Sequence, residues 1–175
     1  MAFWALIAEC RVESANDTEL TARVLFRRLR TLDATNVAEF AQHWERARSR
    51  LFSWSVADAA CLLFGRLDEE DLRPIQDWII SFGRDVVMRV AQNPDNLVDL
   101  ADDRRNARAT WFDEFTTEAH IVGSGTWPIG YDPNGPDELT GEHLPLGDTD
   151  VVARHYPRLA AFRRDHPEIG DPLLR

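Results

Sequence analysis

Apolar residues recur at three- and four-residue intervals through most of the first 122 positions, which is the period of helices with one buried face. Phe3, Ile7 and Cys10, with Trp4 beside them, predict a short first helix. Asn16 followed by Glu19 reads as a capping box opening a second helix. Leu20, Val24 and Leu29 would line its inner face, widened by Leu25 and Phe26. Val37, Phe40, Trp44, Ala47 and Leu51 give the clearest inward stripe of the chain. Val56, Ala59, Ala60 and Leu63 predict a fourth helix of small residues suited to close packing, stopped at Gly65.

The run Asp68-Glu69-Glu70-Asp71 then marks a helix start, because acids complement the free N–H groups there. Leu72, Ile75, Ile79, Phe82 and Val86 form the stripe that follows. Pro74 fits if it falls in the first turn, and Gly83 is placed to divide the segment in two. Asn93-Pro94 is a helix restart, cap followed by proline. Trp111, Phe112, Phe115 and Ala119 predict a last long helix of this region.

After Val122 the pattern breaks. Six of the nine glycines and four of the nine prolines fall between 123 and 147. That stretch reads as a long loop with at most a short strand pair, packed on the body through Trp127, Ile129 and Tyr131. Val151, Val152, His155, Leu159 and Phe162 predict a closing helical segment broken at Pro157, with the last residues frayed. The expected fold is mainly α, an irregular bundle of about six or seven helices with a long Gly/Pro-rich acidic loop segment. All 175 residues are expected to form one domain: a helical body over about 1–122, the loop segment over about 123–147, and the closing segment over about 148–166.

Charge changes the picture. The net charge is −10, with +1 on residues 1–66 and −11 on residues 67–175. Residues 113–150 hold nine acids and no arginine. Such a surface repels phosphate backbones, which argues against general nucleic-acid binding and suits a basic protein partner. The chain contains no lysine, so chemistry that needs a lysine amine on a phosphate or in a Schiff base is excluded. Two cysteines, Cys10 and Cys61, make neither a zinc-thiolate cluster nor a disulfide framework. No membrane-length apolar run and no signal peptide are evident, so the expectation is a soluble cytoplasmic protein.

Catalytic motifs fail on spacing. Gly123-Ser124-Gly125 is not a nucleophile elbow, and its continuation to Pro128 is not a dinucleotide fingerprint. Asp132-Pro133-Asn134-Gly135-Pro136-Asp137-Glu138 places Pro136 and Asp137 where a calcium loop needs a ligand and a glycine. None of the five histidines lies in a metal-ligand spacing, so no metal and no cofactor is expected. Glu142-His143 is the nearest approach to an acid–base pair. Trp78 adjoins the stripe residue Ile79 and is expected at the edge of the buried face. Arg84 is expected to pair with Asp77 or Asp71, or to hold a carboxylate or phosphate.

Several blocks are similar to one family. They are Phe3-Trp4-x-Leu6-Ile7, Trp54-x4-Ala59-Ala60-x4-Gly65 with the acids at 68–71, Asp77-Trp78-Ile79-Ile80-Ser81-x-Gly83-Arg84, and Asn93-Pro94-Asp95-x-Leu97. With the later Tyr156-Pro157-Arg158-Leu159, they resemble the bacterial family catalogued as domain of unknown function 4240. The resemblance implies a compact bacterial domain and lends no reaction.

The function expected from these readings is a non-enzymatic protein-binding or regulatory module. It would dock through the groove near Trp78 and Arg84 or through the acidic 113–150 segment. The alternative is a small hydrolase or transferase in which Asp71, Asp77 and Arg84 or His143 converge. A third reading is an immunity-type protein that neutralises a basic partner. Candidate binding residues are therefore Asp71, Asp77, Trp78, Arg84, Trp127, Tyr131 and His143.

Overall fold

A computed structural model describes residues 3–107 and 138–174 of the chain. The chain is mainly helical: among the described residues there are eight α-helices, one 3-10 run and two strands of two residues each. In order they are α1 (Phe3–Glu13), α2 (Thr18–Leu29), α3 (Ala34–Ser49), α4 (Trp54–Phe64), β1 (Arg66–Leu67), α5 (Glu69–Ser81), α6 (Arg84–Gln92), the 3-10 run Pro94–Asn106, α7 (Thr149–His155), α8 (Pro157–Asp165) and β2 (Leu173–Leu174).

Helix α4 is the centre of the fold. Every residue from Val56 to Leu63 is buried, so this helix is enclosed on all sides rather than on one stripe. It packs on the 3-10 run, on α8, on α5 and on both strands. The small residues Ala57, Ala59 and Ala60 let these neighbours approach closely. Gly65 ends α4 at φ 84, and a Cβ there would lie 3.0 Å from the Gly170 carbonyl oxygen. The turn thereby admits the C-terminal segment, and β1 and β2 pair in parallel, Arg66 with Leu173. The backbone at 173–174 is thus paired where fraying is the expectation.

The α3 stripe Val37, Phe40, Trp44, Ala47 and Leu51 is buried as its spacing predicts. Helix α2 differs. Its cap is Asp17, which accepts from the Leu20 N–H at 2.8 Å, while Asn16 sits at φ 65 in the turn before it. The buried face is Thr18, Thr21, Ala22, Leu25 and Leu29, and Leu20 is 49% exposed. Two threonines take inward positions because their hydroxyls find partners: Thr21 with Ser14 at 2.6 Å, and Thr18 with Asp103 at 2.8 Å.

At the start of α5 the Asp71 carboxylate accepts from the Asp68 backbone N–H at 2.8 Å, as the capping reading requires. Pro74 lies in the second turn of α5, since the helix begins at Glu69. Gly83, at φ 96, separates α5 from α6. Asn93-Pro94 restarts the chain, but as a 3-10 run rather than an α-helix. The closing segment is two helices divided at Tyr156-Pro157. The helix predicted around Trp111, Phe112, Phe115 and Ala119 lies outside the described residues, as do Ile129 and most of the 123–147 loop. No helix among the described residues is long and apolar enough to cross a membrane.

Candidate functional site

The described part of the acidic segment returns along the first turns of α4. Thr140 docks it by backbone and side chain: the Trp54 N–H donates to the Thr140 carbonyl at 2.9 Å, and the Thr140 hydroxyl donates to the Phe52 carbonyl at 3.1 Å. One turn into α4 lies Asp58, only 1% exposed. Its Oδ2 accepts from the Leu144 N–H at 2.9 Å, and His143 Nδ1 lies 2.6 Å from its Oδ1. Against an ionised carboxylate the imidazole Nδ1–H must be the donor. The His143 side chain is 46% exposed, and its ring sits 4.9 Å from the Trp54 ring.

Burial pushes the Asp58 carboxyl above its usual range, and the Leu144 N–H and His143 oppose that shift. Nearby on the same helix, burial pushes the Cys61 thiol up to about 12, with the Asp58 charge adding to it. Tyr156 donates to the Ser55 carbonyl at 3.0 Å, and its phenol is also pushed up, first by burial and then by Asp58 and Asp95.

The segment is acidic where it faces solvent. Glu138, Glu142, Asp148 and Asp150 are exposed, and no arginine stands between 138 and 153. None of these four makes an ion pair among the described residues. In the helical body some acids are paired with arginines, Glu13 with Arg27 and Arg28, Glu19 with Arg23, Glu45 with Arg48 and Arg73, and Asp99 with Arg158, while exposed Asp17, Asp33, Glu39, Asp85 and Asp102 make no such pair among the described residues.

The predicted site residues do not converge. Asp77 is 2% exposed and accepts from Trp44 Nε1 at 2.7 Å and from Arg48 through Nε at 2.9 Å and Nη2 at 2.7 Å. Its cation is therefore Arg48, not Arg84. Arg84 opens α6 on the surface and makes no ion pair with Asp77 or Asp71. Asp71 is occupied at the α5 cap. Trp78 is fully buried rather than at an edge. Its indole N–H donates to Asp103 at 2.7 Å, with Phe64 and Phe82 edge-on to its ring. A docking groove cannot be lined by Trp78, since no part of it reaches solvent. His143 pairs with Asp58 rather than with its neighbour Glu142. Trp127 and Tyr131 lie outside the described residues. Among the described residues no group of three or more His, Cys, Asp or Glu is placed to hold a metal ion.

Two carboxylates that sequence reasoning passed over organise this end of the molecule. Asp58 is one. Asp95 is the other, 2% exposed, accepting from the N–H groups of Arg158 at 3.0 Å and Leu159 at 2.9 Å at the start of α8. The signal for Asp58 was present, since a lone acid inside Val56-Ala57-Asp58-Ala59-Ala60 must be buried with a partner.

A family model described as "Protein of unknown function (DUF4240)" matches residues 1–121. No curated protein and no solved structure matches the chain.

Proposed function

The chain belongs to the DUF4240 family of proteins of unknown function, and from that premise we propose that it is a non-enzymatic protein-binding or regulatory module that receives a basic partner on its acidic segment. One observation carries the reading. Glu138, Glu142, Asp148 and Asp150 stand close together in sequence, face solvent and make no ion pair among the described residues, and no arginine lies between 138 and 153. Unmatched like charges repel one another, and a cationic partner relieves that repulsion while being steered in by it. An immunity-type protein that neutralises a basic partner would use the same surface.

The test is crosslinking capture from cells that carry the protein. Wild type is compared with the variant Glu138→Gln/Glu142→Gln/Asp148→Asn/Asp150→Asn and with a control in which exposed body acids are neutralised. Asn at 148 keeps an acceptor for the α7 cap. A partner held by wild type and by the control, and lost by the segment variant in a salt-dependent way, supports the reading. A partner held equally by all three overturns it.

A second reading has a specific observation of its own. His143 is oriented through Nδ1 by a buried carboxylate, which leaves Nε2 for proton transfer in a small hydrolase or transferase. The convergence of Asp71, Asp77 and Arg84 expected for that enzyme does not occur. The reading therefore rests on Asp58 and His143, and turnover that survives His143→Ala would refute it.

A further inference from the structure

A buried carboxylate costs free energy unless its hydrogen bonds are made. Asp58 sits among Ala57, Ala59, Ala60, Cys61 and Leu62, each at most 2% exposed. Its hydrogen bonds come from His143 and Leu144, which lie on a different segment 85 and 86 residues away. Nothing within α4 itself needs an acid at this position.

The segment that supplies those bonds packs on the core only through two partly buried leucines, Leu139 and Leu144. Glu138, Thr140, Gly141, Glu142, His143 and Pro145 are exposed, and Leu139 and Leu144 are half-buried. The first firm anchor is Leu146, 8% exposed in the core, followed by Gly147, around which there is open space. Segments with few buried apolar contacts and exposed backbone hydrogen bonds open at a small fraction of the global unfolding free energy.

We infer that residues 138–145 form a strap that docks on α4 and lifts from it as a unit, hinged at Leu146-Gly147, and that Asp58 is the key that makes docking two-state. With the strap down, both carboxylate oxygens are bonded. With the strap lifted at residues 143–144, the carboxylate loses His143, Leu144 or both. Intermediate positions are therefore disfavoured, and the strap is either seated in one register or free. The strap carries Glu138 and Glu142, so on the docking reading above Asp58 is a positioning residue for that surface. The mechanical claim stands without that reading and is tested separately.

Amide hydrogen exchange on the whole chain decides it, read at Leu144 and Trp54 for the strap and at Leu63 and Ile79 for the body. In wild type the strap amides should exchange through an opening that leaves the body amides protected. Asp58→Leu removes the acceptors and places an apolar side chain among apolar neighbours. It should speed exchange at Leu144 by roughly tenfold or more while body protection is kept or raised. The paired strap variant Thr140→Pro/His143→Ala loosens the strap and takes the His143 partner from the Asp58 carboxylate. It should lower body protection, and adding Asp58→Leu to it should restore that protection.

Wild-type strap amides as slow as the body amides would overturn the proposal. So would strap exchange unchanged by Asp58→Leu, or a triple variant no better protected than the double. If Asp58→Leu does not fold, the strap variant alone decides by the same comparison of strap and body amides. Loss of partner capture in the carboxylate variant with wild-type strap exchange bears on the docking reading only.

Discussion

Helix α8 begins at Pro157, and Tyr156 stands in its cap position without a side-chain acceptor for the free N–H groups. The acceptor comes from 63 and 64 residues earlier in the chain: Asp95 takes the N–H groups of Arg158 and Leu159, one on each oxygen. This bond joins Asn93-Pro94-Asp95 to Tyr156-Pro157-Arg158-Leu159 and fixes α8 against the 3-10 run and α4. Asp95→Ala removes a cap, worth about 1 kcal/mol, and leaves a second N–H without its acceptor at a cost of about 1–3 kcal/mol, so the expected loss is about 2–4 kcal/mol. Asp95→Asn keeps one acceptor oxygen and should lose about half as much. The surrounding Arg158 contacts to Asn96 and Asp99 are surface-exposed and contribute no more than about 1 kcal/mol, so they do not mask the effect. The assay is urea unfolding at pH 7 followed by far-ultraviolet circular dichroism, with a companion thermal melt. For a chain of this size the Tm should fall by roughly 4–16 °C. The slope of the urea transition should be unchanged if α8 unfolds together with the body. An Asp95→Ala protein within about 0.5 kcal/mol of wild type would refute the argument that this carboxylate holds the closing helix.

Trp78→Ala should cost about 3–5 kcal/mol, because the side chain is fully buried and its N–H partner Asp103 is left behind; urea unfolding reads it, and a loss under 1 kcal/mol would return Trp78 to the surface. Burial, with smaller contributions from nearby acids, pushes the Cys10 thiol up to about 11 and the Cys61 thiol up to about 12. Neither should react with a thiol reagent at pH 8 in the folded chain, and both should react in urea. The sign with pH follows. A thiol raised on folding favours the folded state in full below its ordinary pKa of about 8.5 and loses that contribution as pH rises toward the raised value. Stability should therefore fall on the alkaline side from about pH 8.5, less steeply in Cys10→Ala/Cys61→Ala; an identical alkaline slope in that variant would refute it.

The period of the apolar residues determined the helical class, the α3 stripe and the breaks at Gly65, Gly83 and Pro157, because each depends on residues within a turn or two of one another. Cap chemistry is equally local, which is why the acids at 68–71 and the Asn93-Pro94 pair read correctly as starts. The α2 register was not legible, since a threonine turns inward only when a distant acceptor such as Asp103 waits for it. The same reason hid the candidate site. Asp58 meets His143 and Leu144, Asp77 meets Arg48 and Trp44, and Asp95 meets α8 across separations of 29 to 86 residues. Sequence spacing carries no sign of which buried charge finds which partner. The free energy that selects the pairing, burial of a charge with its hydrogen bonds complete, exists only once the helices have packed and water has been excluded.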